Sequence, residues 1–425
     1  MIGAIIQARM GSSRLPGKVL LDLHSKPVLW HVISRVSKAA YLDKTIVATT
    51  KKSEDDAIVD FCNRQKIPVF RGSENDVLDR FYQCAKSYAI SEIVRVTADC
   101  PLHDPRVIDY VIGEYRKGGY DYVTNTLEYT YPDGLDIEVF SFQSLEDAWK
   151  NAKLGSEREH VTPYIRNSLS MKKKNVYAPK KYPIYRFTLD TREDFLFISK
   201  LFEGIGTDIF GLEDIFDYLN THPDLLTINQ HIASNEGYFI SLIDDAKSVV
   251  LRTDRLYLRQ LLPTDASETY CQWLNDPEVN RFLETKHTSV NELKLYIAEK
   301  WKSRECVFFG IFLKETNIHI GNVKLEPIFF DKKEATIGIM IGNPVWWGKG
   351  ICTEAVKSVV NYAFSTMNLH KICLGVVSEN MAAINCYKNA GFGIEKTEPL
   401  TGVNAAPDRE KFIMSILNTK DKTGE

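Results

Sequence analysis

Ile2–Leu20 reads IGAIIQARMGSSRLPGKVL, and its two halves obey different rules. Ile2 to Ala8 is a short apolar run, the pattern of a buried strand. The chain then breaks into a polar loop carrying Arg9, Gly11, Ser12, Ser13, Arg14, Gly17 and Lys18. A strand that runs straight into such a loop leaves bare backbone N–H groups and cationic side chains at its C-terminal end. Open α/β folds bind ligands there, and successive backbone N–H groups make an anion cradle. Arg9, Arg14 and Lys18 on one short loop suit a triphosphate. The loop is not the Walker A pattern G-x-x-x-x-G-K-[ST]. Gly11 and Gly17 stand one residue too far apart, and Val19 occupies the place of the magnesium-binding hydroxyl.

Working outward, the pattern alternates. Residues 27–39 (PVLWHVISRVSKA) predict a helix, with Pro27 in its first turn and Val28, Val32, Ile33 and Val36 on one face. A buried strand at 44–49 follows, then a helix at 55–65, a short extended piece at 68–70, a helix at 76–88 and a strand at 92–97 (EIVRVT). Alternating strands and helices predict a mostly parallel, doubly wound sheet. The last of these strands ends in Ala98-Asp99-Cys100-Pro101, where a carboxylate faces the ligand crevice of such a sheet. Asp99 there either holds Mg²⁺, which uses one or two carboxylates plus phosphate oxygens, or caps a turn before Pro101. Residues 133–140 (DGLDIEVF) read as a turn and a half-buried strand whose Asp136 and Glu138 face a polyhydroxylated sugar or solvent. In 157–165 (EREHVTPYI), Arg158 and His160 can bind a sugar carboxylate or serve structure. Residues 185–194 (YRFTLDTRED) read as a strand ending at Asp190, with Thr191 capping an acidic first helical turn.

The opening stretch resembles the signature of the nucleotide-sugar cytidylyltransferases, in particular the SpsF-like branch related to the synthetases of CMP-Kdo and CMP-sialic acid. The resemblance runs over about residues 1–240, and the later motifs fall in the family's order. It implies that Asp99 and the first Asp of the D-T-x-E-D segment, Asp190, are the two metal ligands; Arg192 stands where Pro is common. It also implies nucleotidyl transfer, in which a hydroxyl of a 2-keto sugar acid attacks the α-phosphate of CTP and displaces pyrophosphate. Gly11, Ser12 and Ser13 would cradle the nucleotide, and Arg9, Arg14 and Lys18 would hold its β- and γ-phosphates. Asp136, Glu138, Arg158 and His160 would take the sugar. A glycosyltransferase is the competing reading, but no D-x-D stands at a strand end.

Residues 233–248 lose periodicity, which places a domain boundary near 247: a nucleotidyltransferase domain over 1–247 and a second domain over 248–425. The second half predicts short extended pieces around 251–259, helices at 264–274 and 290–301, and strands at 306–313, 319–325 and 335–341. Its centre is 342–355, GNPVWWGKGICTEA. Glycines opening a helix give backbone donors and a favourable dipole for a pyrophosphate. This segment resembles motif A of the GNAT N-acetyltransferases, which implies that Trp347, Gly348, Lys349, Gly350, Ile351, Cys352 and Thr353 hold acetyl-CoA. Trp347 replaces the usual Arg or Gln, and Cys352 a small residue. Residues 380–392 (NMAAINCYKNAGF) carry the family's N-x-x-A-x-x-x-Y-x-x-x-G-F spacing. The resemblance gives Asn380 the pantetheine arm and makes Tyr387 the acid that protonates the departing thiolate. Without it, a Tyr on an amphipathic helix reads as core. Glu284, His287 and Glu334 are candidate bases. Residues 273–287 (WLNDPEVNRFLETKH) resemble the N-acetyltransferase of the pseudaminic acid pathway, which implies an amino-sugar nucleotide contacted by Asn280, Lys286 and His287. The GNAT fold also hosts protein N-terminal acetylation, and a non-catalytic binding module is a further alternative.

The expected fold class is α/β: a doubly wound, mostly parallel Rossmann-like nucleotidyltransferase sheet followed by a separate GNAT α/β acetyltransferase domain. The chain of 425 residues is long enough for two cores. A net charge of −3 and 26% charged residues give no reason to expect a nucleic-acid or anionic-membrane partner. Its eight Cys are scattered, with no C-x-x-C pair, so reduced cytosolic thiols are expected. The first apolar run is too short for a signal peptide, and a cytoplasmic homodimer working on small molecules is the expectation.

Overall fold

A computed structural model describes residues 1–232, 234–283, 288–400 and 409–419. The chain divides into two units, Met1–Ser234 and Asn235–Glu425. The division falls before residue 247 because the helix Glu236–Ser248 packs Ile243 and Ala246 into the second unit's core.

The first unit is built on a seven-stranded sheet. Its strands are β1 Ile2–Gln7, β2 Lys44–Thr50, β3 Val69–Gly72, β4 Glu92–Thr97, β5 Tyr122–Thr124, β6 Glu138–Ser141 and β7 Lys173–Asn175. They lie in the order β3-β2-β1-β4-β6-β5-β7. β3, β2, β1 and β4 run parallel, and β6 is antiparallel to both β4 and β5. Alternate residues of β1 enter opposite cores. Ile2, Ala4 and Ile6 pack with Val28 and Val32 of the helix Val28–Val36 and with Ile108 of Pro105–Arg116. Ile5 packs with Phe81 of the helix Val77–Ser87 and Leu145 of Phe142–Asn151. Both faces are thus covered, which is why the strand reads as continuously apolar. Burying Ile5 and Ile6, each 0% exposed, contributes about 1.5–3 kcal/mol apiece. That burial anchors the strand from which the basic loop springs.

One expected element is different. Residues 185–190 form no regular strand; Arg186 alone makes a bridge, to Asp133. The segment is extended but held by single carbonyls: Phe187 N–H donates to Asp133 O, and Leu189 N–H to Asp99 O at 2.8 Å. Gly134, with φ +100, lets these backbones meet, since a Cβ there would lie 2.7 Å from the Phe187 carbonyl carbon.

The second unit holds an eight-stranded sheet. Its strands are β8 Val250–Arg252, β9 Leu256–Gln260, β10 Val307–Leu313, β11 His319–Phe329, β12 Glu334–Ile341, β13 Lys371–Val377, β14 Gly393–Pro399 and β15 Glu410–Leu417. The order is β8-β9-β10-β11-β12-β13-β15-β14, antiparallel except for β12 and β13. Those two pair only from Glu334–Lys371 to Thr336–Cys373 and then part. The reading of all eight cysteines as free thiols is corrected: Cys352 and Cys386 form a disulfide, and the other six are unpaired. Among the described residues no helix is long and apolar enough to cross a membrane.

Candidate functional site

At the C-terminal end of β1 the loop is tied down by Asp55, whose carboxylate accepts Met10 N–H at 2.6 Å and the Thr50 hydroxyl. The Ser12 hydroxyl accepts Leu15 N–H at 3.3 Å. Among the described residues no acceptor meets the Gly11 and Ser13 N–H groups, which leaves them for a ligand. Arg9 and Arg14 are exposed. Lys18 instead turns inward and is 8% exposed.

Lys18 is where the two expected carboxylates meet. Its ammonium donates to Asp99 Oδ2 at 2.6 Å and to Asp190 Oδ1 at 2.7 Å. The two acceptor oxygens are therefore no further apart than those distances summed. Burial would raise the Asp99 carboxyl, but Lys18 outweighs it and holds Asp99 well below the usual carboxylate range. Lys18 is likewise raised: burial lowers it, and Asp99 and Asp190 more than compensate. Asp190 also receives Arg14 Nη2 and Arg186 Nη2, each at 2.9 Å. Its backbone is fixed by the helix Arg192–Ile205, where Thr191 and Asp194 form the reciprocal N-terminal cap. Asp194 additionally accepts Arg186 Nε at 2.9 Å and Asn229 Nδ2 at 3.0 Å. Two carboxylates sharing one cation are a hard-oxygen donor pair of the kind Mg²⁺ takes with phosphate oxygens. Among the described residues no group of three or more His, Cys, Asp or Glu is placed to hold a metal.

The expected sugar side divides. Glu138 does not face a ligand: it is 2% exposed. It pairs across the sheet with Arg95 at 2.5 Å and accepts the Thr162 hydroxyl at 2.6 Å and the Tyr122 hydroxyl. Arg166 Nη2 lies 3.4 Å away. Burial would raise Glu138, but Arg95 and Arg166 bring it to about 2. Strict alternation assumes one open face, and here the helix Pro163–Asn167, through Arg166, covers it. Asp136 is half-buried; burial, with Asp133 and Glu138 nearby, pushes it up to about 8. Arg158 donates from Nε to the Asp76 carboxylate at 3.0 Å and from Nη1 to Trp149 O at 2.8 Å. It is a clamp on the start of the helix Val77–Ser87. His160 lies in the field of Arg95, Arg166 and Arg9; burial and these cations push it down to about 3, so it is neutral. Arg95 and Arg166, unpredicted as site residues, both pair with the Glu138 carboxylate, and with Arg9 they set a cationic field at His160. The one sequence signal was Arg95 inside the apolar run Ile93–Val96.

In the second unit, the turn 347–350 joins β12 to the helix Ile351–Ser365. Gly348 and Gly350 sit at φ +66 and +76, where a side chain is strained. The first N–H groups of a helix have no intrahelical acceptor, so Ile351, Cys352 and Thr353 present backbone donors, and Ile351's side chain (1% exposed) is core. Arg255, also unpredicted, braces the cradle: it donates to Lys349 O at 2.8 Å and to Glu354 Oε2 at 2.7 Å. The Trp347 indole N–H closes the end of β12 by donating to Ile341 O at 2.8 Å. Lys349 is exposed, its ammonium 5.0 Å from the Trp346 ring centre. Asn380 caps the helix Met381–Asn389, accepting Ala383 N–H at 3.2 Å. Tyr387 on that helix is 6% exposed, and burial pushes its phenol up to about 12. Glu334 heads β12, seven residues from its cradle end, about 23 Å at strand rise. Asn280 is 5% exposed and donates to Leu274 O at 2.8 Å, a structural role. Glu284, Lys286 and His287 lie outside the described residues.

Two families match the chain: Cytidylyltransferase over residues 3–220 and Acetyltransferase (GNAT) domain over residues 255–393. The chain is similar to the spore coat polysaccharide biosynthesis protein SpsF of Bacillus subtilis (strain 168), 38% identical over 233 residues, 52% of this chain and 95% of that protein. A 3-deoxy-manno-octulosonate cytidylyltransferase of Nitratidesulfovibrio vulgaris (strain DP4) is 32% identical over 145 residues, 32% of this chain and 56% of that protein. Among solved structures, a cytidylyltransferase from Leptospira borgpetersenii aligns with TM-score 0.52 and 33% identity, covering 55% of this chain and 98% of its own.

Proposed function

The chain belongs to the cytidylyltransferase family and carries a GNAT acetyltransferase domain behind it, and from that premise we propose a bifunctional enzyme of nonulosonic acid synthesis. The first unit transfers CMP from CTP to a 2-keto sugar acid of the pseudaminic type. The second N-acetylates an amino-sugar nucleotide precursor from acetyl-CoA. The observation that supports the first reading most is the meeting of Lys18, Asp99 and Asp190 beside a loop with open N–H groups.

In that reaction a sugar hydroxyl oxygen bonds to the α-phosphorus, the bond to the β-phosphate breaks, and pyrophosphate leaves. Arg9, Arg14 and the Gly11 and Ser13 amides stabilise the charge that accumulates on the leaving group. Asp99 and Asp190 would hold Mg²⁺, which supplies further charge neutralisation at phosphate oxygens when bound. The cationic field of Arg95, Arg166 and Arg9, felt by neutral His160, favours the sugar's carboxylate on this side. In the second unit the amine attacks the thioester carbonyl and the C–S bond breaks. A phenol raised to about 12 stays protonated at neutral pH. It stabilises the developing thiolate by a hydrogen bond, while the amine nitrogen, cationic once it has bonded to the carbonyl carbon, gives up the proton that neutralises the sulfur.

The test is pyrophosphate release with CTP, Mg²⁺ and a panel of pseudaminic, legionaminic, sialic and Kdo-type acids. One acid should support release, and Asp99→Asn and Asp190→Asn should abolish it while sparing acetyl-CoA turnover. Release with none of them, alongside normal CTP binding, overturns the substrate class.

A further inference from the structure

Cys352 and Cys386 are joined across 34 residues with their Cα atoms 6.2 Å apart. Cys352 is the second residue of the helix that supplies the backbone cradle, and Cys386 immediately precedes Tyr387. These two helices follow β12 and β13, the strands that stop pairing after Thr336 and Cys373. The bond therefore ties together the two elements that flank the parted strands. The remaining thiols are of another kind. Five are buried and Cys373 is half-buried. Burial pushes Cys62, Cys84 and Cys306 up to about 12, and such protonated thiols are inert. A thiol at a helix N-terminus is the activated type.

We propose that Cys352 and Cys386 form a reversible redox site, closed by thiol–disulfide exchange with a low-molecular-weight disulfide of the glutathione class, that slows the exchange of acetyl-CoA in the second unit. The Cys352 thiolate attacks one sulfur of the small disulfide, forming a mixed disulfide and expelling one thiolate. The Cys386 thiolate then attacks the Cys352 sulfur and expels the second. The protein loses two electrons and two protons, and the small disulfide becomes two thiols. Closure fixes the spacing of the cradle helix and the Tyr387 helix, so the arm lying between the strands must leave past walls that no longer separate. The inference rests on the second unit binding acetyl-CoA.

The full chain is equilibrated in reduced or oxidised glutathione, its free thiols are counted, and acetyl-CoA release is followed through Trp346 and Trp347 fluorescence. Acetyl-CoA has no free thiol and leaves the bond intact. Oxidation should remove the two thiols of this pair and slow release by about fivefold or more, the lower end of coupling between linked sites. The double variant Cys352→Ala/Cys386→Ala, which can form neither the mixed nor the internal disulfide, should show one release rate in both buffers. Equal rates in the wild type, an unchanged thiol count, or a redox shift that persists in Cys352→Ala/Cys386→Ala would each overturn the inference alone. Absence of acetyl-CoA binding in both buffers would overturn it together with the cofactor assignment beneath it.

Discussion

Lys18→Met removes the cation from between two carboxylates and leaves a side chain of similar length. The ammonium sits 2.6 Å from Asp99 and 2.7 Å from Asp190. At an effective dielectric constant of 20, each contact carries about 6 kcal/mol of Coulomb attraction, much of it offset by the desolvation of the buried groups. Asp190 keeps Arg14 and Arg186, each at 2.9 Å, so the uncompensated group is Asp99. Breaking a buried pair from one side costs about 3–5 kcal/mol. The Asp99 side chain is 24% exposed, which sets the expectation at the lower end, about 3 kcal/mol, or a fall of about 6–12 °C in the first unit's melting temperature. The pH dependence follows from the sign of the shift. With Lys18 present, Asp99 is held below its unfolded value, so its stabilisation is present above about pH 4 and fades as pH falls through the folded value. Without Lys18, burial dominates and the carboxyl rises, so its cost is felt above about pH 4 and disappears as acid protonates it. The wild type and the variant should therefore differ most at neutral pH and converge in acid. Urea unfolding from pH 4 to 8 reads this directly. Adding Asp99→Asn to Lys18→Met should recover part of the loss, and millimolar Mg²⁺ should stabilise Lys18→Met more than wild type. A loss that is independent of pH and unrelieved by Asp99→Asn would refute the reasoning.

Asp136→Asn should stabilise the first unit by about 1–2 kcal/mol at pH 8 and leave it unchanged near pH 4. The raised folded value of about 8 makes wild-type stability fall as pH rises through that window; unfolding midpoints check it. Tyr387→Phe should slow acetyl transfer by about 10²-fold with acetyl-CoA affinity nearly unchanged. The wild-type pH–rate profile should show no loss from the phenol below about pH 10, since burial pushes it up to about 12. Arg255→Ala frees the Lys349 carbonyl and Glu354 Oε2. With Arg255 half exposed, the stability cost should stay under about 1 kcal/mol, while calorimetry should find acetyl-CoA affinity reduced several-fold.

The strand Ile2–Gln7, its loop and the strand end at Asp99 were legible because burial on two faces and a sudden change to glycine and charge leave a mark in one dimension. The cap of Thr191 and Asp194 was legible for the same local reason. Asp190 was found as a residue but misplaced as a strand end, since its segment is held by carbonyls of distant loops that leave no period. Glu138 was read as half-open because alternation reports a face and not what covers it. Lys18 was expected to reach outward to phosphates, and only the fold shows two carboxylates drawing it in. The cysteine pair carried no spacing signal across 34 residues. Arg255 belongs to a turn whose partner, Glu354, lies 99 residues on.

Lys18 and Asp190 are 172 residues apart, and the Leu189 amide, one residue before Asp190, closes on the Asp99 carbonyl. Ribosomal synthesis at about 5–20 residues per second makes the lysine wait roughly 9–34 seconds for its second carboxylate. A nascent chain halted before Asp190 can form the parallel strands and present its basic loop, yet it lacks the second acid that neutralises Lys18. The nucleotide site is thus assembled only when the final segment of the first unit arrives, and partially synthesised chains are born without it.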